Sequence, residues 1–257
     1  MSVHLDIAGP VATVTIDRPE VRNAVDPATA AELDRLIGEL GEDQSVRVIV
    51  LTGAGDRAFC AGADLKSGAP VGTGYWLTER AHGFGGISHR PELLTPVIAR
   101  VNGVALGGGF EMVLGCDLAV AVESASFGLP ETTVGGMPLD GGIPLLARTL
   151  PSKIARDLLL TGRRISAAEA ERWGLVNEVV PASDLDLAVT RWVERLLTAA
   201  PLSQLGVKEL LALAHDRPVG AVLRHAGAVT LRALGSADAL EGAAAFRERR
   251  LPHWTGT

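Results

Sequence analysis

Between Val11 and Val122, four short runs rich in β-branched residues alternate with stretches of helical character, and this alternation restricts the fold more than any other feature. Val11–Ile16 alternates apolar and small polar residues, as a half-buried strand does. Val46–Thr52 is almost entirely apolar, which predicts a strand covered on both faces. Pro96–Val101 and Leu118–Val122 predict two more strands. Asp26-Pro27 supplies an N-cap and a first-turn proline, and Leu33, Leu36, Ile37 and Leu40 form the buried stripe of the helix that follows. Gly107–Gly109 lead into a helix expected to run through Glu111 to about Gly115. Strand and helix in alternation predict an α/β layer.

The pattern changes after about residue 150. Ser152–Thr161 reads as a helix stopped by Gly162, and Ser166-Ala-Ala-Glu169 is a capping box for a helix ending at Gly174. Val176–Val180 is a last strand-like run. From Asp184 onward the chain reads as four helical segments, punctuated by Pro201, Pro218 and Ser236. The expected division is a core over residues 1–195 and a helical C-terminal region over residues 196–257.

Hydrophobic residues make up 47% of the 257, enough for one large core. No apolar run is long enough to cross a bilayer, and the N-terminus lacks the basic-then-apolar pattern of a signal peptide. No membrane partner is expected. A net charge of −6 disfavours a nucleic-acid partner, which would need clustered Lys and Arg. The dense basic cluster Arg247-Glu-Arg-Arg250 reads as a solvated helix end. Two cysteines, Cys60 and Cys116, make no disulfide framework, so a cytoplasmic protein is the expectation. Cys60, beside Phe59, reads as a core filler. His4, His82, His89, His215, His225 and His253 show no ligand spacing, so no metal site is predicted. There is no Gly-x-Ser-x-Gly elbow, and Gly103–Gly109 is a poor dinucleotide fingerprint.

Residues 67–91 are glycine-rich and poorly patterned, and carry Tyr75 and Trp76. A wall or lid over a ligand is one reading of such a stretch. The three glycines before Glu111 allow close approach to a helix N-terminus, where backbone N–H groups lack partners. Ala61-Gly-Ala63 offers a second such edge. Two N–H donors aimed at one oxygen form an oxyanion hole, although glycines in this pattern also serve simple close packing. Glu111 is crowded by Phe110, Met112, Val113 and Leu114, so it is expected to be buried, with either a partner or a raised pKa. Glu131, after Pro130, reads equally as a first-turn acid of a short helix or as a second acid/base group.

Taken in order, Asp17–Ala24, Ala58–Lys66, Asn102–Glu111, Phe127–Glu131, Leu160–Ser166, Gly174–Val179 and Asp238–Phe246 resemble the crotonase family, also called the enoyl-CoA hydratase/isomerase family. The resemblance runs over nearly the whole chain. It implies an α/β spiral of ββα units with a helical C-terminal trimerisation region, assembled as a homotrimer or homohexamer. It implies an acyl-CoA thioester as substrate and no separate cofactor, CoA being part of the substrate. By position, it puts the oxyanion donors on the N–H groups of Ala63 and Gly108. CoA would lie along Val21, Arg22, Ala24, Ala61, Asp64 and Leu65. The two carboxylates of the hydratases fall on Glu111 and Glu131, and having both favours addition of water to a 2-enoyl-CoA. The alternatives are a dehydratase of a hydroxylated acyl-CoA, a double-bond isomerase using Glu131 alone and a non-catalytic acyl-CoA binder. Gly135–Pro144 departs from the glycine-rich segment common in hydratases. There Asp140 reads as the cap of the following helix with Pro144 in its first turn, and Met137 and Leu139 are candidates for shaping the acyl pocket.

Overall fold

The computed structural model describes residues 2–68, 72–214, 217–225 and 227–257. Ten strands form two sheets: β1 (Val3–Ala8), β2 (Val11–Ile16), β3 (Val48–Gly53), β4 (Ala58–Cys60), β5 (Val97–Val101), β6 (Val104–Leu106), β7 (Leu118–Val122), β8 (Ser126–Gly128), β9 (Ile165–Ser166) and β10 (Glu178–Val180). The larger sheet has the order β1-β2-β3-β5-β7-β10. Only the β1–β2 hairpin in it is antiparallel. The smaller sheet has the order β4-β6-β8-β9, antiparallel only at β8–β9.

The chain steps from one sheet to the other and back. β3, β5 and β7 each enter the large sheet, and β4, β6 and β8 follow them into the small one. A helical segment then returns the chain, which makes each repeat a ββα turn of a spiral. Central strands of such a stack are covered on both faces, and every residue of β3 is buried.

The helix Pro27–Glu42 starts as its sequence predicts, with Asp26 accepting from the Thr29 N–H at 2.8 Å. Its buried residues include Leu33, Leu36, Ile37 and Leu40. The capping box at Ser166 is present, with the Ser166 side chain and Glu169 bonding reciprocally. Cys60 is a core residue, and burial pushes its thiol up to about 12.

Two buried asparagines fix the turn that delivers β4 to the site. Asn102 donates through Nδ2 to the carbonyls of Gly53 (2.8 Å), Gly55 (2.7 Å) and Ala58 (3.1 Å). Asn23, held at φ +56°, donates to Ala54 (3.0 Å) and Ala58 (2.8 Å) and accepts from the Arg18 N–H (3.0 Å). Together they satisfy the carbonyls of a tight loop that β-pairing cannot reach.

Three expectations are corrected. Pro218 to Ser236 holds two helices, Val219–Leu223 and Ala228–Leu234, rather than one. Residues 67–91 are not uniformly a surface flap. Phe84–Ser88 are buried, with Gly85 against Met112 and Gly86 against Asp34. Residues 72–80 keep mostly exposed side chains, with Trp76 65% exposed on the short helix Thr73–Leu77. Residues 69–71 and His215 lie outside the described residues. Asp140 does not cap the helix Gly142–Thr149. Gly141 occupies the cap position without a side-chain bond, and the Asp140 carboxylate turns to Tyr75 and Arg80 instead. An ion pair with an arginine in a buried setting outweighs a single cap bond.

Candidate active site

The helix Gly108–Gly115 begins immediately after β6, and Gly107 makes the turn between them with φ +54°. Each glycine of the triplet faces a different neighbour. A Cβ on Gly109 would meet the Cys60 carbonyl at 2.1 Å, and one on Gly108 the Phe84 ring at 2.5 Å. One on Gly107 would lie 2.9 Å from Oε1 of Glu131. Close packing therefore explains two of the glycines, and the third borders a carboxylate.

Across from this helix start runs the segment Ala61–Ala63. A Cβ on Gly62 would come within 3.4 Å of the Gly108 nitrogen, so the two edges abut. Val25 and Ala63 form an isolated parallel bridge, in which Val25 N–H donates to Gly62 and Asp64 N–H to Val25. That register leaves the Ala63 N–H outside the bridge. Neither it nor the Gly108 N–H has a hydrogen-bond partner among the described residues.

Glu111 lies one helical turn in and is 2% exposed. Its Oε1 accepts from the N–H groups of Asp140 (2.9 Å) and Gly142 (2.8 Å). Burial pushes its carboxyl up to about 8, aided by the charges of Asp140 and Glu131 and opposed by the two amides. Glu131 sits in the 3-10 turn Pro130–Val134. Its Oε2 is buried with no hydrogen-bond partner among the described residues, and burial raises this carboxyl as well, with Asp140 adding to the effect. The Glu131 carboxyl lies beside Gly107, at the start of the helix that carries Glu111. The charge of Glu131 reaches Glu111, so ionising both is unfavourable. The two amides on Oε1 favour the ionised form of Glu111 but do not cancel the rise.

The positions singled out for CoA form a strip. Val21 ends the 3-10 turn Pro19–Val21, and Arg22 follows it in the left-handed region at φ +57°. Ala24 is buried, and its carbonyl accepts from Arg18 at 2.5 Å. Ala61 donates its N–H to the Arg22 carbonyl at 3.1 Å, and Asp64 pairs with Arg18 at 3.0 Å. Leu65 is 81% exposed. A cleft beside Arg22 is lined by Asn23, Gly55, Asp56, Arg57 and Ala58 among others. Among the described residues, no group of His, Cys, Asp and Glu could hold a metal ion.

Sequence reasoning missed Tyr75 and Arg80 as neighbours of the carboxylates. The Tyr75 hydroxyl donates to Asp140, and burial together with the charges of Asp140 and Glu111 raises its own pKa. Aromatic residues in an irregular, glycine-rich stretch were the available signal.

A family model described as enoyl-CoA hydratase/isomerase matches residues 6–257. The chain belongs to the enoyl-CoA hydratase/isomerase family. A carnitinyl-CoA dehydratase from Proteus mirabilis is 40% identical over 259 aligned residues, 99% of this chain and 98% of the relative. One from Salmonella typhi is 40% identical over 263 residues. Among solved structures, an enoyl-CoA hydratase from Bacillus anthracis superposes with a TM-score of 0.88 at 34% identity, covering 100% of both chains. One from Mycobacterium tuberculosis gives 0.89 at 33%, covering 100% of this chain and 99% of the other. These family members share the α/β spiral with its C-terminal helices.

Proposed function

We infer that this protein is a hydro-lyase that reversibly adds water to a 2-enoyl-CoA thioester. Its full-length relatives are carnitinyl-CoA dehydratases, and its structural neighbours are enoyl-CoA hydratases. The observation that carries the reading is the carboxyl pair. Oε1 of Glu111 is held by two amides, while the buried Oε2 of Glu131 has no hydrogen-bond partner among the described residues.

The thioester oxygen accepts hydrogen bonds from the N–H groups of Ala63 and Gly108. Each such donor contributes about 3–4 kcal/mol to a transition state in which that oxygen gains charge. Ionised Glu111 takes a proton from water as the water oxygen bonds to C3. The C2–C3 π electrons move to C2 and the thioester oxygen. Glu131 then donates its proton to C2, and the carbonyl re-forms. The net change is one water added; dehydration runs the same steps backward. Glu111 ends protonated and Glu131 ionised, and proton exchange through water restores the starting state. Carboxyls raised toward neutrality suit both transfers. CoA binds along Val21, Arg22, Ala24, Ala61, Asp64 and Leu65, and the chemistry uses no further cofactor.

The helical C-terminal region carries exposed Leu234 (74%), Leu240 (77%), Phe246 (86%) and Leu251 (90%), which supports a homotrimer or homohexamer with these side chains between subunits. No single helix among the described residues is long and apolar enough to cross a membrane.

A panel of 2-enoyl-CoA thioesters (straight-chain, branched, aromatic, sterol-derived and the carnitinyl-type acyl group) tests the reading. Loss of enoyl absorbance with a product heavier by one water is expected for at least one member. Acyl-CoA binding without turnover across the panel would instead indicate a binder.

A further inference from the structure

Asp140 joins three parts of the molecule. Its backbone N–H holds Oε1 of Glu111 at 2.9 Å. Its carbonyl accepts from the Ser88 hydroxyl, on the buried end of the 67–91 segment. Its carboxylate, with a side chain only 4% exposed, accepts from Nε of Arg80 at 2.8 Å and from the Tyr75 hydroxyl.

Arg80 and Tyr75 also bind each other. The guanidinium lies 3.7 Å from the Tyr75 ring centroid, and Nη1 donates to the carbonyls of Tyr75 (2.7 Å) and Thr78 (3.1 Å). A largely exposed stretch, residues 72–80, therefore grips one buried carboxylate with an aromatic ring and a cation. That carboxylate sits on the residue whose amide orients Glu111. A buried Asp needs such partners, since an unpaired charge there is costly. Their source is the informative part: the partners come from the outer segment rather than from the spiral core.

We propose that Arg80 and Tyr75 are positioning residues, which clamp Asp140 and so couple the closure of the 72–80 segment to the orientation and ionisation of Glu111. The proposal rests on the hydro-lyase reading. With the segment closed, the Asp140 amide is fixed and Arg80 offsets the Asp140 charge. With it open, Glu111 loses a fixed amide and faces an uncompensated carboxylate. Displacing a catalytic group by about an ångström can reduce the rate on the order of a hundredfold. The titratable groups around Glu111 are Glu131, Asp140 and Tyr75, with Arg80 behind Asp140.

Arg80→Gln, Arg80→Lys, Tyr75→Phe and Asp140→Asn test this in the full chain. Two readouts are used: kcat and KM on a thioester the wild type hydrates, and infrared titration of the Glu111 carboxyl with Glu111→Gln as the blank. Arg80→Gln should lower kcat about ten- to a hundredfold with KM little changed, and Arg80→Lys should recover part of the loss. The Glu111 titration should move to higher pH in Arg80→Gln and to lower pH in Asp140→Asn. A common shift of both variants in one direction, an unmoved titration, or a rise in KM alone would overturn the proposal. The infrared arm needs no turnover. A wild type that hydrates nothing would therefore defeat the hydro-lyase reading while leaving the coupling testable.

Discussion

Oε1 of Glu131 lies against the Cα of Gly107, where a Cβ would stand 2.9 Å away. Gly107 also holds φ +54°, a conformation that costs an L-residue about 1–2 kcal/mol. Gly107→Ala therefore strains the turn and pushes Glu131 off its place. The expected result is a kcat lowered by roughly tenfold or more, with only about 1–2 kcal/mol lost in stability. Parallel steady-state kinetics and urea unfolding would check it. Unchanged kcat would mean that Glu131 is not held by that turn.

The ionisation of Glu111 predicts how stability depends on pH. Its carboxyl is raised by burial to about 8 in the folded chain, from the 4.5 of an ordinary glutamate. The folded state therefore binds the proton more tightly than the unfolded chain. This contribution is fully present below about pH 4.5 and is lost as pH rises through about 8. Its size is roughly a few kcal/mol. Urea unfolding at about pH 5, 7 and 9 should show the wild type losing stability across this window relative to Glu111→Gln. In kinetics, the acidic limb of the rate profile should lie well above the ordinary carboxylate range. Glu131→Gln should move the Glu111 titration downward, because a neighbouring charge is gone.

Asn102→Ala tests the scaffold without touching the carboxyl pair. Its amide satisfies three carbonyls, those of Gly53, Gly55 and Ala58. Ala58 keeps its bond from Asn23, so two carbonyls lose this donor at about 1–3 kcal/mol each, and a loss of about 2 kcal/mol or more is expected from the midpoint of urea unfolding. Asn102→Asp should also destabilise, since a carboxylate offers those carbonyls no donor.

Leu240 and Phe246 stand 77% and 86% exposed on the helix Ala237–Glu248. If they lie between subunits, Leu240→Glu together with Phe246→Glu buries charge at the contact and drives the assembly toward monomers. Sedimentation velocity would resolve this. A wild type that sediments as a monomer would contradict the assembly itself.

What could be read in the sequence follows the range of the interactions. The buried setting of Glu111 was legible because its own helix supplies the neighbours Phe110, Met112 and Val113, all buried. The cap at Asp26 and the box at Ser166 were legible because both close within three residues. Asp140 defeated the same local rule. Its partners are 60 and 65 residues away, and no spacing announces them. The small sheet was missed because its strands, two or three residues long, are too short to show alternation. The glycines of the 67–91 segment suggested looseness, but Gly85 and Gly86 allow close packing onto Met112 and Asp34. Glycine density alone does not separate a mobile loop from a tightly packed one.

The most direct measurement is hydration of a 2-enoyl-CoA in heavy-oxygen water by the wild type, Glu111→Gln and Glu131→Gln, with products resolved by mass. The account predicts one solvent oxygen at C3 in the wild-type product and a loss of at least about a hundredfold in turnover for each variant, in line with removing a general acid or base. Full turnover by Glu111→Gln beside an inactive Glu131→Gln, with no solvent oxygen in the product, would contradict it and indicate a single-carboxylate isomerase.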